Sequence, residues 1–150
     1  MDKIPAHEQK WRDLLRSHGL RVTSAMLATL ACLEQSSDAL SHEALLQKLG
    51  TQSPDRVTLY RILERLTQIG VVQRYTDSGR TQHFSLKQLA SMGSFECDQC
   101  HHVIPIENDP VLSAAMQLVK ARLTEQGMAE REVTLASFGI CPDCNQPPDS

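Results

Sequence analysis

Four of the five cysteines stand in two C-x-x-C pairs, Cys97/Cys100 and Cys141/Cys144, both in the second half of the 150-residue chain. Zinc takes four soft ligands in a tetrahedron, with thiolate sulfur at about 2.3 Å. One C-x-x-C turn points two thiolates at an ion, and a second turn completes the set. The 40 residues between Cys100 and Cys141 exceed the usual zinc-ribbon gap and fit a helix and a strand inserted between the turns. The N-terminal MDKIPAHEQK lacks the apolar core of an export signal, and no apolar run approaches membrane-spanning length. A cytoplasmic chain with no membrane partner is expected, and there paired C-x-x-C motifs point to metal more than to disulfides. Thioredoxin-like redox chemistry is the competing reading, although no βαβ pattern surrounds either pair. Four thiolates leave no open coordination position, so hydrolytic catalysis at this zinc is not expected. Oxidation that ejects the metal would make the same residues a redox switch. Cys32, in an apolar helical stretch, reads as a small core residue.

The histidines are more scattered. His101 and His102 follow Cys100 directly, and strand alternation would send them to opposite faces, so at most one could join the cysteines. His83 falls in a predicted strand, His42 in a predicted helix, and His7 and His18 in or beside another. A lone histidine in such a place is more often a hydrogen-bonded surface group than a ligand. Glu107 and Asp109 flank a helix start, where carboxylates are expected without a metal. No Ser-His-Asp or Cys-His constellation, phosphate-binding glycine loop or open metal triad stands out, so the pattern does not read as an enzyme.

The cysteines need a scaffold, and residues 87–150 predict a small one. Phe95 to Cys100 and Val103 to Ile106 read as strands around the first C-x-x-C. Asn108-Asp109-Pro110 starts a helix with Leu112, Met116, Val119 and Leu123 on one stripe, closed by Gly127. Val133 to Ile140 is a last strand delivering the second pair. At about 60 residues this module is below the size at which a core alone suffices, so a zinc staple between its first and last strands has a physical purpose. Lys87 to Ser94, without a clear period, reads as the linker.

Residues 1–86 predict a different module. A helix over residues 6–18 carries Trp11, Leu14 and Leu15. Thr23 caps a second helix, with Val22 and Leu27 placed as a hydrophobic staple. Ser41 caps a third, ending at Leu49. In the fourth, Ser53 is the expected N-cap, Pro54 the first helical position and Asp55 a first-turn carboxylate; Leu59, Ile62, Leu63, Leu66 and Ile69 make a buried face, and Gly70 ends it. The other side carries Arg56, Thr58, Arg61, Arg65 and Gln68, with Tyr60 near the boundary. Val71–Tyr75, a turn at Asp77-Ser78-Gly79, and Arg80–Leu86 then form a hairpin with arginines near its tip, Arg74 and Arg80. A helix-turn-helix followed at once by such a hairpin has the form of a winged helix-turn-helix, whose helix would enter a DNA major groove while the hairpin touches the backbone. The alternative is an ordinary amphipathic surface helix with a hairpin.

The net charge of −3 is unevenly placed: residues 1–86 hold 11 Lys/Arg against 9 Asp/Glu, and residues 87–150 hold 4 against 9. Two modules with different roles are expected. The modest basic excess of the first means that DNA affinity would come from locally placed arginines and from doubling in a dimer.

In order along the chain, Gly19-Leu20-Arg21-Val22-Thr23, Asp55-Arg56-Val57-Thr58-Leu59-Tyr60-Arg61, Leu66 through Val72, Cys97-x-x-Cys100 and Gly139-x-Cys141-x-x-Cys144 resemble the ferric uptake regulator (Fur) family over residues 10 to 144. The resemblance implies an α+β protein: an N-terminal winged-helix DNA-binding domain over 1–86 and a C-terminal α/β dimerisation domain over 87–150. It also implies a homodimeric transcriptional regulator with double-stranded DNA as partner, and a structural zinc in Cys97, Cys100, Cys141 and Cys144. The tyrosine and arginine of the family's recognition helix fall on Tyr60 and Arg61, and a basic minor-groove contact falls on Arg21. Arg56, Arg65, Arg74 and Arg80 are the candidates for phosphate, and Thr58 belongs to the same DNA-facing set.

The chain departs from the family in two ways. Met26 stands where an arginine is usual. The histidine-rich run before the first C-x-x-C, which supplies the family's sensing site, reads here Leu89 to Glu96 without a histidine. The family's later glutamate falls near Pro105 and its late histidine about at Val133. A regulatory metal would therefore need a rearranged set, for which His83, Glu96, His101, His102 and Glu107 are the candidates. A protein-interaction module built on the same scaffold, without DNA binding, is the alternative function.

Overall fold

The computed structural model describes residues 6–87 and 91–147. The chain divides into two compact units, Met1–Lys87 and Gln88–Ser150, and the fold is α+β.

In the first unit, α1 (Ala6–Ser17) buries Trp11 and Leu15. The Thr23 hydroxyl accepts from the Met26 N–H and caps α2 (Ser24–Gln35), which buries Met26, Thr29, Leu30 and Leu33. Met26, at the position where an arginine was the family expectation, is thus a core residue. Ser41 accepts from the Ala44 N–H and caps α3 (His42–Leu49); with Leu40 it forms a two-residue strand, β1 (Leu40–Ser41), too short to show a period in the sequence. A 3-10 turn over Gly50–Gln52 leads on to α4 (Arg56–Gln68).

The cap of α4 is Asp55, not Ser53. Its carboxylate accepts from the Thr58 N–H at 2.8 Å and the Thr58 hydroxyl at 2.9 Å, two bonds that Ser53, whose hydroxyl donates to the Pro54 carbonyl, does not make. Leu59, Ile62, Leu63 and Leu66 form the buried stripe of α4. Gly70, at φ 78°, takes the left-handed conformation that ends the helix. The hairpin is β2 (Val72–Thr76) and β3 (Gln82–Leu86), joined through Asp77–Thr81, with Arg80 in the turn at φ 66° and not in the return strand. All pairings are antiparallel in the order β1-β3-β2. One cluster, including Trp11, Leu15, Leu30, Leu45, Leu59, Leu63, Leu66 and Phe84, fills this unit.

In the second unit, β4 (Ser91–Cys97) pairs antiparallel with β5 (Val103–Glu107) and parallel with β6 (Leu135–Gly139). Between β5 and β6 runs α5 (Pro110–Glu125), capped by Asp109, whose carboxylate accepts from the Leu112 N–H. Two sequence expectations change here. Residues 91–94, read as linker, are strand; residues 88–90 of that linker lie outside the described residues. Gly93 explains the missing alternation: the β4–β5 register shifts between Ser91 and Gly93, and a Cβ on Gly93 would lie 1.8 Å from the Leu135 carbonyl oxygen. The stripe Leu112, Met116, Val119, Leu123 is only partly inward. Met116 alone of α5 is buried, while Val111, Leu118 and Val119 are exposed. The helix carries apolar residues around most of its girth, so no single face of the unit can cover them. No helix of the described residues is long and apolar enough to cross a membrane.

Candidate functional site

The parallel β4–β6 register sets Cys97 opposite Gly139, so both C-x-x-C turns leave the same end of the sheet. Cys97 closes β4 and Cys141 follows β6; both are buried. The first turn is closed by the His101 N–H donating to the Cys97 carbonyl at 2.9 Å and by the Cys97 N–H donating to the His102 carbonyl at 3.1 Å. The second is closed by the Cys144 and Asn145 N–H groups donating to the Cys141 carbonyl at 3.1 and 2.9 Å. The Asp98 N–H donates to the Gly139 carbonyl at 2.7 Å and ties one turn to the other strand.

The four sulfurs lie within 4.8 Å of one another, and Cys100 Sγ is 3.7 Å from Cys141 Sγ. A disulfide would bring two sulfurs to about 2.05 Å. A tetrahedron with metal–sulfur bonds of about 2.3 Å has edges of about 3.8 Å, so the donor set fits a zinc-sized ion. Backbone N–H groups of Cys100 and Cys141 prepare the site by pulling the Cys97 thiol down to about 6, against the effect of burial. At Cys144 the thiol of Cys141 and burial push the other way, up to about 12. At Cys100 the His102 N–H pulls downward, but burial and the neighbouring thiols outweigh it and leave the value raised. Four converging thiols cannot all ionise by themselves; a cation at their centre removes that conflict.

Among the described residues this is the one group of three or more His, Cys, Asp or Glu whose ligand atoms converge. The other metal candidates form no such group. His83 is buried in the first unit, where its Nε2 lies 2.9 Å from Asp77 Oδ2, and that carboxylate also holds the hairpin turn through the Thr81 N–H. Glu96 is buried on β4 and Glu107 ends β5. His101 and His102 lie in the turn, His101 at φ 61°, and not on a strand as their alternation assumed.

The second candidate site is the outer face of α4 and the hairpin. Arg61, Arg65 and Arg80 are exposed, as is Arg21 ahead of the Thr23 cap, and none of the four has an ion-pair partner among the described residues. Arg56 pairs with Glu43, and His42 Nε2 donates to its carbonyl at 3.1 Å. Arg74 differs from its sequence expectation: half-buried, it pairs with Glu64 of α4 and lies over the Phe84 ring at 5.8 Å, bracing the hairpin against the helix. Thr58 is exposed, but its hydroxyl is committed to Asp55. Tyr60 is exposed, and so is Val57, which the sequence reading left unassigned; its position one turn ahead on the polar face of the helix was the available signal. Together with Arg56, Arg80 and Phe84 they line a groove of about 580 Å³.

With this geometry in view, the relatives of the chain fall into one group. The model of the "Ferric uptake regulator family" matches residues 17–135. A ferric uptake regulation protein of Legionella pneumophila is 29% identical over 133 residues, 87% of this chain and 95% of that protein. The crystal structure of the Vibrio cholerae ferric uptake regulator superposes with a TM-score of 0.68 at 26% identity, covering 87% of this chain and 98% of that one. A zinc uptake regulator complexed with zinc and DNA has the same fold, with a TM-score of 0.67 at 21% identity over 95% of this chain and 96% of that one. The chain belongs to the ferric uptake regulator family.

Proposed function

We propose that this protein is a sequence-specific DNA-binding transcriptional regulator that acts as a homodimer, with one structural zinc per chain held by Cys97, Cys100, Cys141 and Cys144. The observation that carries the DNA-binding reading is the set of exposed arginines without ion-pair partners among the described residues, Arg61 and Arg65 on α4 and Arg80 at the hairpin turn. In a major groove, Arg61 and Tyr60 read base edges, Arg65 and Arg80 take phosphates, and Arg21 reaches the minor groove. Arg56 joins them by exchanging its exposed pair with Glu43 for a phosphate, since such a pair contributes little. Arg74 braces the hairpin and Thr58 holds the Asp55 cap of the helix, so both position the contacts and make none.

Zinc supplies the positive charge that holds four thiolates at the end of the β4–β6 sheet. The chain's own residues do the remainder: backbone N–H groups orient Cys97, and Phe138 of β6 and Ile140 just beyond it, two residues apart and so on one face of the strand direction, are both exposed. That apolar surface supports dimerisation through the second unit. The run from Leu89 to Glu96 has no histidine and no second ligand group converges among the described residues, so the regulatory signal enters by a route other than the family's histidine-rich site.

Fluorescence anisotropy with the zinc-loaded chain on its operator tests this. Arg61→Ala should lose about 1–3 kcal/mol on the operator and little on scrambled duplex. Arg65→Ala should weaken both alike and lower the salt slope by about one per protomer. Unchanged operator affinity in Arg61→Ala would refute the assignment of α4, and salt-insensitive binding would favour the protein-interaction scaffold.

A further inference from the structure

Among the described residues of the first unit, Val57 and Tyr60 are the large hydrophobic side chains left exposed, at 61% and 53%. They lie three residues apart on α4 and so share one face of the helix. Valine is not there for the helix, because a β-branched residue is a weaker helix former than alanine. Its neighbour Thr58, the obvious residue for a polar base contact, has both its hydroxyl and its N–H bound to Asp55.

The groove these two side chains line is also lined by Arg80, Thr81 and Gln82 of the hairpin and by Glu43, whose charge is offset by Arg56. Arg61 and Arg80 therefore leave the apolar pair framed by positive charge that has no counter-ion among the described residues. A second copy of this surface would bring like charges together. The occupant that complements it is a polyanion presenting an apolar group at groove depth. In duplex DNA only thymine shows a methyl group in the major groove, and helix N-terminal residues are the ones that reach base edges.

We infer that Val57, packed beside Tyr60, is a specificity-determining residue that selects thymine through its 5-methyl group. The inference rests on the DNA-binding reading above and adds to it a residue and a base. Operators are selected from randomised duplexes with the zinc-loaded full chain, and each thymine is then replaced in turn by deoxyuridine, which lacks only the methyl. Burial of one methyl-sized group is worth about fourfold in affinity. At one or more thymines per half-site, uridine should weaken the wild-type protein by about fourfold. Val57→Ala, with a better helix former at an exposed position, removes the contact from both half-sites of the dimer, so it should bind the thymine duplex about 16-fold more weakly and no longer distinguish it from uridine.

If every uridine duplex binds the wild-type protein as its thymine parent does, or if Val57→Ala discriminates as well as wild type, the inference is wrong. Loss of operator binding by Arg61→Ala in the same series would show that the DNA-binding reading survives that failure. If no sequence is enriched at all, the DNA-binding reading fails and takes the inference with it.

Discussion

In residues 6–87 four helices and a hairpin close over one apolar cluster, from Trp11 to Phe84. In residues 91–147 the buried apolar side chains are Cys97, Val103, Met116 and Cys141, and two of these are zinc-ligand candidates. The exposed large hydrophobics divide the other way. The first unit shows Val57 and Tyr60, whereas the second shows Val111, Leu118, Val119, Met128, Leu135, Phe138 and Ile140. The difference separates two ways of stabilising a small unit. The first closes over one large interior and, among its described residues, exposes large apolar side chains at one place, on the face proposed for DNA. The second leaves most of its apolar residues outside, which suits the proposed zinc and the proposed second chain as the sources of its stability.

The comparison breaks most visibly at the cysteines. Cys97→Ser should abolish stoichiometric zinc by elemental mass spectrometry and unfold the second unit, since structural zinc contributes about 10–16 kcal/mol of apparent binding free energy in small zinc domains. Emission from Trp11, the only tryptophan, should stay that of a buried indole, because Trp11 lies in the first unit's core. The complementary change is Leu59→Ala, at a fully buried position of α4. It should cost about 2–5 kcal/mol in urea melts followed by Trp11, with one zinc per chain retained.

Phe138→Asp sharpens the claim about the second unit's surface. A charge at this exposed apolar position should shift the dimer toward monomer by at least about 30-fold in dissociation constant, read by sedimentation equilibrium. The smallest effect is expected at the hairpin. Burial raises the Asp77 pKa, but hydrogen bonds from His83 and the Thr81 N–H outweigh it and hold the carboxyl below its usual range. Its unfolded value is about 3.9. The stability it contributes is therefore complete above that value and fades as pH falls through the lower folded value. Asp77→Asn should cost about 1–2 kcal/mol at neutral pH and flatten the loss of stability below about pH 4.

Much of this organisation was legible because it rests on local chemistry. Thr23, Ser41 and Asp109 are caps whose side chains do what their types predict, and the apolar period of α4 is unbroken. The cysteine spacing foretold a shared site whose sulfurs do converge. What escaped depends on distant neighbours. Ser53 before Pro54 reads as the cap, and only the reach of the Asp55 carboxylate to both groups of Thr58 moves the cap two residues on. Arg74 looks like a surface cation until Glu64, ten residues earlier, claims it. Gly93 looks like a linker residue until the Leu135 backbone is laid against it. Val57 has no signal in periodicity, which ranks residues by what they bury, and this one is notable for staying outside.

The central claim is that the first unit holds itself together and the second does not. Hydrogen-exchange mass spectrometry on the full chain, before and after zinc is stripped by a strong chelator, tests it most directly. The account predicts that amides of β4, β5 and β6 lose their protection on chelation while those of α2, α4 and β3 keep theirs. Equal loss in both units, or retained protection in β4 and β6 without metal, would contradict it.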